Sequence, residues 1–144
     1  MTSDARRAEE LRIRYLTEAI ETATPAVRLT MLFDALELDL ARADKGFAEG
    51  AQPKVISDLL IHAQEILALL RDTIEVSAWE AAARLKALYD HLYSELVMAN
   101  LDKDRGRAAA VAVHVRQLAT AWREAARSAD EDGQAAAAPA TAGV

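Results

Sequence analysis

Tyr15–Asp34 reads YLTEAIETATPAVRLTMLFD. An amphipathic entry segment gives way here to a helix start signal, then to a helix with more apolar surface than one core needs. Thr24 can cap the first free amides, and Pro25 fits the first helical turn, where its missing N–H costs nothing. The stripe Leu29, Leu32, Leu36, Leu40, Ala43 and Phe47 then advances by three and four, the helical period. At about 100° per residue, Val27, Met31 and Leu38 fall on the opposite side. The helix is therefore apolar on two faces. Surplus apolar surface on a small protein points to a partner groove. It is equally explained by a preceding helix that folds back, with Leu11 and Tyr15 lying over it.

Upstream, Asp4–Ile20 has partial apolar spacing and would be a marginal helix alone. Downstream, Gly46 and Gly50 end the second helix, and Pro53 starts a third that runs to about Ile74. Ile56, Leu59, Ala63, Ile66, Leu70 and Ile74 form its stripe, widened by Leu60 and Leu67. Ser77, with Glu80 three residues on, reads as a capping box for a fourth helix reaching about Asn100. Its inward residues are Leu85, Leu88, Tyr89, Leu92 and Leu96, with Trp79, Tyr93 and Val97 to one side. A fifth helix covers about Asp104–Ser128 on Val111, Val115, Leu118, Trp122 and Ala125. No stretch alternates as a half-buried strand does. The expected fold is all-α: an antiparallel four-helix bundle with an additional short N-terminal helix. The expected organisation is an N-terminal cap segment over 1–22, the bundle over 23–129, and a disordered acidic and Ala-rich tail over 130–144.

At 144 residues the chain is one domain, large enough to bury a core without staples. It has no cysteine, which excludes disulfides and thiol chemistry. The net charge of −6 argues against general affinity for nucleic acid or an anionic membrane. Met1–Glu10 is too polar for a signal peptide, and no apolar run is long enough to span a bilayer. A cytoplasmic location is expected.

Little in the chain supports catalysis. His62, His91 and His114 share no metal-ligand spacing, and no Glu-x-x-His motif is present. No metal and no cofactor is expected. There is no Gly-x-Ser-x-Gly elbow and no phosphate-binding glycine loop. Most of the 23 carboxylates lie on solvated faces. Asp34 stands apart, beside Phe33 within an apolar helix, and is a candidate polar anchor for a partner's backbone. Arg6, Arg7, Arg12 and Arg14 cluster in the first helix, but Asp4, Glu9 and Glu10 interrupt them, as on a solvated face.

Five segments in order resemble the flagellar secretion chaperone family, FliS. They are Tyr15, TATP at Thr22–Pro25 with LTMLFDA at Leu29–Ala35, HAQEILALLRDTI at His62–Ile74, LKALYDHLYSELVMANLDKD at Leu85–Asp104, and VRQLATAWREA at Val115–Ala125. Phe33 stands where that family usually has tyrosine, and Ala35 where glycine is common. The stretch between Ile74 and Leu85 lacks the usual glycine and carries Ser77-Ala78-Trp79-Glu80 instead. The resemblance implies a non-enzymatic chaperone that binds the C-terminal segment of flagellin, prevents its premature polymerisation, and aids delivery to the flagellar type III export apparatus. An export-gate component is a further partner it suggests. By matched position and by the second apolar face, the flagellin-binding candidates are Tyr15, Val27, Met31, Phe33, Asp34, Leu38, Tyr89, Leu92 and Asn100. The alternative is a helical adaptor for another amphipathic segment.

Overall fold

The computed structural model describes residues 2–137, with side chains left undescribed at 2, 19–21 and 134–137. Among the described residues the chain forms five helices: α1 (Thr2–Thr22), α2 (Pro25–Glu49), α3 (Pro53–Asp72), α4 (Ala82–Asp102) and α5 (Arg105–Ala137). Short connections join α2 to α3 and α4 to α5, and a longer one over 73–81 joins α3 to α4. Each packs on the next, and α5 closes the ring against α2. Leu36, Leu60, Leu67, Leu70, Leu92, Leu96, Val111 and Val115 fill the centre and are fully buried. These are positions of the expected stripes, so the period-3.6 pattern and the core coincide.

The helix ends follow local chemistry. Thr24 is extended, as the residue before proline must be, and its hydroxyl accepts a hydrogen bond from the Val27 amide at 3.2 Å. Gly50 closes α2 at φ +68°, a conformation that a Cβ would strain. Lys103 closes α4 at φ +50° despite its side chain. Its ammonium donates to the Asn100 carbonyl and side-chain oxygens, both at 2.7 Å, which helps hold that turn. Asp104 then caps α5, accepting from the Arg107 amide at 3.0 Å.

Three expectations need correction. The Ser77–Glu80 box does not start α4. Residues 73–81 form turns, and α4 begins at Ala82, whose methyl is fully buried, with no side-chain cap on Ala81. Docking of Ala82 into the bundle outweighs the capping signal. Second, α5 does not stop near Ser128 but continues through the acidic stretch to Ala137. The alanines there favour helix even where nothing bulky is buried. The rest of the expected disordered tail, 138–144, lies outside the described residues. Third, α1 does not lie over α2. Leu11 is 56% exposed and Tyr15 72%. At about 100° per residue, Leu11 and Tyr15 share one side of α1, while Leu16 and Ile13 share another. Arg12 falls between the two sides and pairs with Glu9 at 3.5 Å. Helix α1 thus has no continuous stripe with which to dock.

One buried charge was not expected. Asp39 is buried between α2 and α3, and its Oδ2 meets His62 Nδ1 at 2.5 Å. No buried side-chain nitrogen or oxygen lacks a partner among the described residues.

Two stability outcomes follow. Leu96→Ala leaves a cavity in the centre of the ring and is expected to cost roughly 2–5 kcal/mol in urea denaturation. His62→Ala strips Asp39 of its partner and is expected to cost about 1–3 kcal/mol in the same assay, although His62 itself is largely exposed.

Candidate binding surfaces

Among the described residues, concavities mark the outside of the ring. One, about 710 Å³, is a trough between α2 and α5. Its walls carry Leu38 and Ala41 from α2, and Ala108, Ala109, Ala112 and Val113 from α5. Alanines along α5 leave the trough shallow, because they pack without filling the space outside the helix pair, and Arg116 adds a cation to its wall. Ion pairs stand at both ends. At one, Arg123 Nη2 reaches Asp34 Oδ1 at 2.6 Å and Glu37 Oε1 at 2.7 Å. At the other, Arg105 grips Asp44 with two bonds of 2.8 and 3.2 Å. Hydrogen bonds to the carboxylates, Asp34 first, hold the Arg123 guanidinium above its usual pKa. The bond from Arg105 holds the Asp44 carboxyl below its ordinary value.

The second concavity, about 640 Å³, lies where α2 and α4 begin and α3 runs out, against the middle of α5. Phe33 and Tyr89 are among its buried lining, and Trp79 and Trp122 stand more exposed around it. Burial pushes the Tyr89 phenol up to about 12, so the hydroxyl keeps its proton. Trp122 Nε1 donates to Thr30 Oγ1 at 3.0 Å, tying α5 to α2. A smaller concavity of about 340 Å³ takes in Val27, Thr30 and Trp122 with Ala126 and Ala129.

The candidate residues divide among these places. Leu38 and Asp34 line the trough, Val27 the smallest concavity, and Phe33 and Tyr89 the end pocket. Val27 and Leu38 are each 48% exposed, as the second apolar face requires. Met31 is half-buried and lines none of the three. Leu92 is buried in the core, so its strong patterning is that of a packing residue. Asn100 lies at the opposite end from the aromatic pocket, donating to Ser57 Oγ at 3.1 Å and bracing the α4–α5 turn. Tyr15 stands free on α1. Sequence reasoning passed over the α5 alanines and Arg123. Their signal is the group of small residues Ala108, Ala109 and Ala112 around Val111, of which Ala108 is itself buried with the valine stripe. Among the described residues, no three His, Asp or Glu side chains gather where they could hold a metal ion. No helix among them is long and apolar enough to cross a membrane.

A ring of helices with apolar concavities on its outer face has the form of a helical binding protein. Residues 8–129 match the family described as "Flagellar protein FliS". The chain is 31% identical over 118 residues to a protein named "Flagellar secretion chaperone FliS" from Bacillus subtilis (strain 168), covering 82% of this chain and 87% of that one. The chain belongs to the FliS family.

The Asp44 carboxyl makes one feature of the trough testable by pH. Because its folded-state pKa lies below the ordinary 3.8, its contribution to stability is fully present above 3.8 and lost as pH falls through the lowered value. The stability gap between the parent and Asp44→Asn, read from urea denaturation, is expected to be flat from neutrality down to mild acid. It then closes below the ordinary carboxyl value.

Proposed function

We propose that this protein is a cytoplasmic flagellar secretion chaperone whose client is the C-terminal segment of flagellin. In this reading it keeps the segment from polymerising and aids its delivery to the type III export apparatus. The trough between α2 and α5 carries the argument. From Asp34 to Asp44 it runs about 15 Å along α2, the length of about three helical turns. An amphipathic client helix laid there covers Leu38 and Val113 with its apolar face, while its polar face stays in water. The ion pairs at each end are largely solvated, so covering them partially costs little. Membership of the FliS family, and a relative named as a flagellar secretion chaperone, support this choice of client.

Sequestration needs no catalysis. A segment that packs only inside a filament is disordered on its own, and binding must offset the cost of ordering it. A groove on a rigid bundle suits that demand, because only one partner has to be ordered.

Titration calorimetry with the host's flagellin tests the reading, using the full-length protein and a form lacking its last ~40 residues, a length that a helix-in-groove client would span. One-to-one binding that truncation abolishes is the expected result. No binding to either form would instead point to a helical adaptor for another amphipathic segment. Leu38→Glu, at an exposed position, is expected to weaken binding by about tenfold or more while helix content and melting stay unchanged.

A further inference from the structure

The aromatic end pocket has a chemistry the trough lacks. Both tryptophans of the chain, Trp79 and Trp122, meet Phe33 and Tyr89 there. Glu75 is the single charged side chain in the lining, and no lysine or arginine joins it. Among the described residues Glu75 has no ion pair, although ion pairs occupy the carboxylates at both ends of the trough. Tyr89 is only 5% exposed. Its hydroxyl has no hydrogen-bond partner among the described residues, yet it is not sealed from solvent. The residue lines this cavity. The other hydroxyl and the buried-side indole there are engaged: Thr73 donates to the Leu70 carbonyl at 2.7 Å, and Trp122 to Thr30.

These groups narrow the occupant. An anion is opposed by Glu75 and by the absence of any cation. A purely apolar group would cover Glu75 and the Tyr89 hydroxyl and leave both without water or a partner, which costs free energy. A lysine or arginine side chain satisfies every group at once. Its apolar stem lies on the aromatic faces, its charge sits over the rings, and its N–H groups reach a carboxylate and a phenol oxygen. At about 640 Å³ the cavity has room for such a side chain with an apolar neighbour.

We infer that this pocket is a second docking point for the client, and that it takes a basic residue of the flagellin segment between the aromatic rings and Glu75. The inference rests on the chaperone reading given above. Two of its groups, Glu75 and Trp79, come from the connection between α3 and α4. The pocket thus adds a preference for charge to a trough that selects mainly for amphipathic helix.

The test uses the full chain and a synthetic peptide of the host flagellin's last ~40 residues, with calorimetry as the readout. Each Lys or Arg of the peptide is changed in turn to Gln, and every peptide is titrated into the parent and into Glu75→Gln. One basic position is expected to lose about fivefold in affinity against the parent and nothing against Glu75→Gln. Trp79→Ala is expected to weaken the unmodified peptide by about tenfold. Tyr89→Phe, which removes only the hydroxyl, is expected to weaken it to a smaller extent. Glu75 and Trp79 lie outside the helices, so unchanged melting of their variants serves as the folding control. Binding to the parent with no basic position coupled to Glu75 would overturn this inference and leave the chaperone reading standing. No binding to the parent would overturn both.

Discussion

The whole arrangement depends on α2 being able to present two faces at once. One face must be buried deeply enough to hold the helix in the ring, so that the other is free to remain apolar and exposed. Leu36, Leu40 and Ala43 meet the first demand, packing against buried side chains of α3, α4 and α5. Deleting any one large buried side chain from such a centre costs a sizeable fraction of a small domain's stability. The outward side, with Val27 and Leu38 half in water, contributes nothing to that core. Its apolar character has no rationale in folding alone, because an isolated soluble helix gains nothing from exposed valine and leucine.

Much of this was legible in the sequence because periodicity and caps are local signals. The Thr24-Pro25 start and the Gly50 stop of α2 appear in the structure with the hydrogen bonds and the positive φ that those residues imply. The stripes of α3 and α4 became the core with few changes. Signals failed where a local preference competed with docking. Ser77 and Glu80 have the right spacing for a capping box, but the helix begins where Ala82 can be buried. Acidic and alanine residues after Ser128 suggested disorder from low apolar content, yet the same alanines sustain helix to Ala137. Hydrophobicity alone does not distinguish a residue that packs in the core from one that lines a groove. Leu92 and Leu38 are both leucines at helical spacing, and only the ring decides that one is enclosed and the other half in water.

Asp39 shows what the sequence conceals about polarity. It sits between Leu38 and Leu40, and nothing local marks it as buried. Its partner, His62, comes from the next helix and is one of three histidines that share no metal-ligand spacing. A buried carboxylate with a single partner adds little net stability over an apolar pair of similar shape. It does penalise every sliding of α2 along α3 that would separate the two groups. Leucine stripes repeat each turn and tolerate such sliding, so one polar contact can fix a register that apolar packing leaves loosely specified. That register also sets where Phe33 of α2 stands relative to the end of α3, at the aromatic pocket.

The trough and the end pocket lie on different parts of the ring, and a single client that used both would have to turn between them. The trough is bounded by the Arg123 clamp on Asp34 and Glu37. Beyond the clamp lies Trp122, whose indole is pinned to Thr30. The trough lies between α2 and α5 and the pocket where α2 and α4 begin, so one client that occupies both changes course between them. A disordered segment can do so, since it can be helical over the trough and extended around the clamp. The geometry therefore favours a partner that folds on the chaperone over one that arrives folded. A large surface gathered from separate patches offsets the ordering cost that such a partner bears. Each patch can be weak on its own, which allows release by the loss of one contact after another instead of a single high barrier.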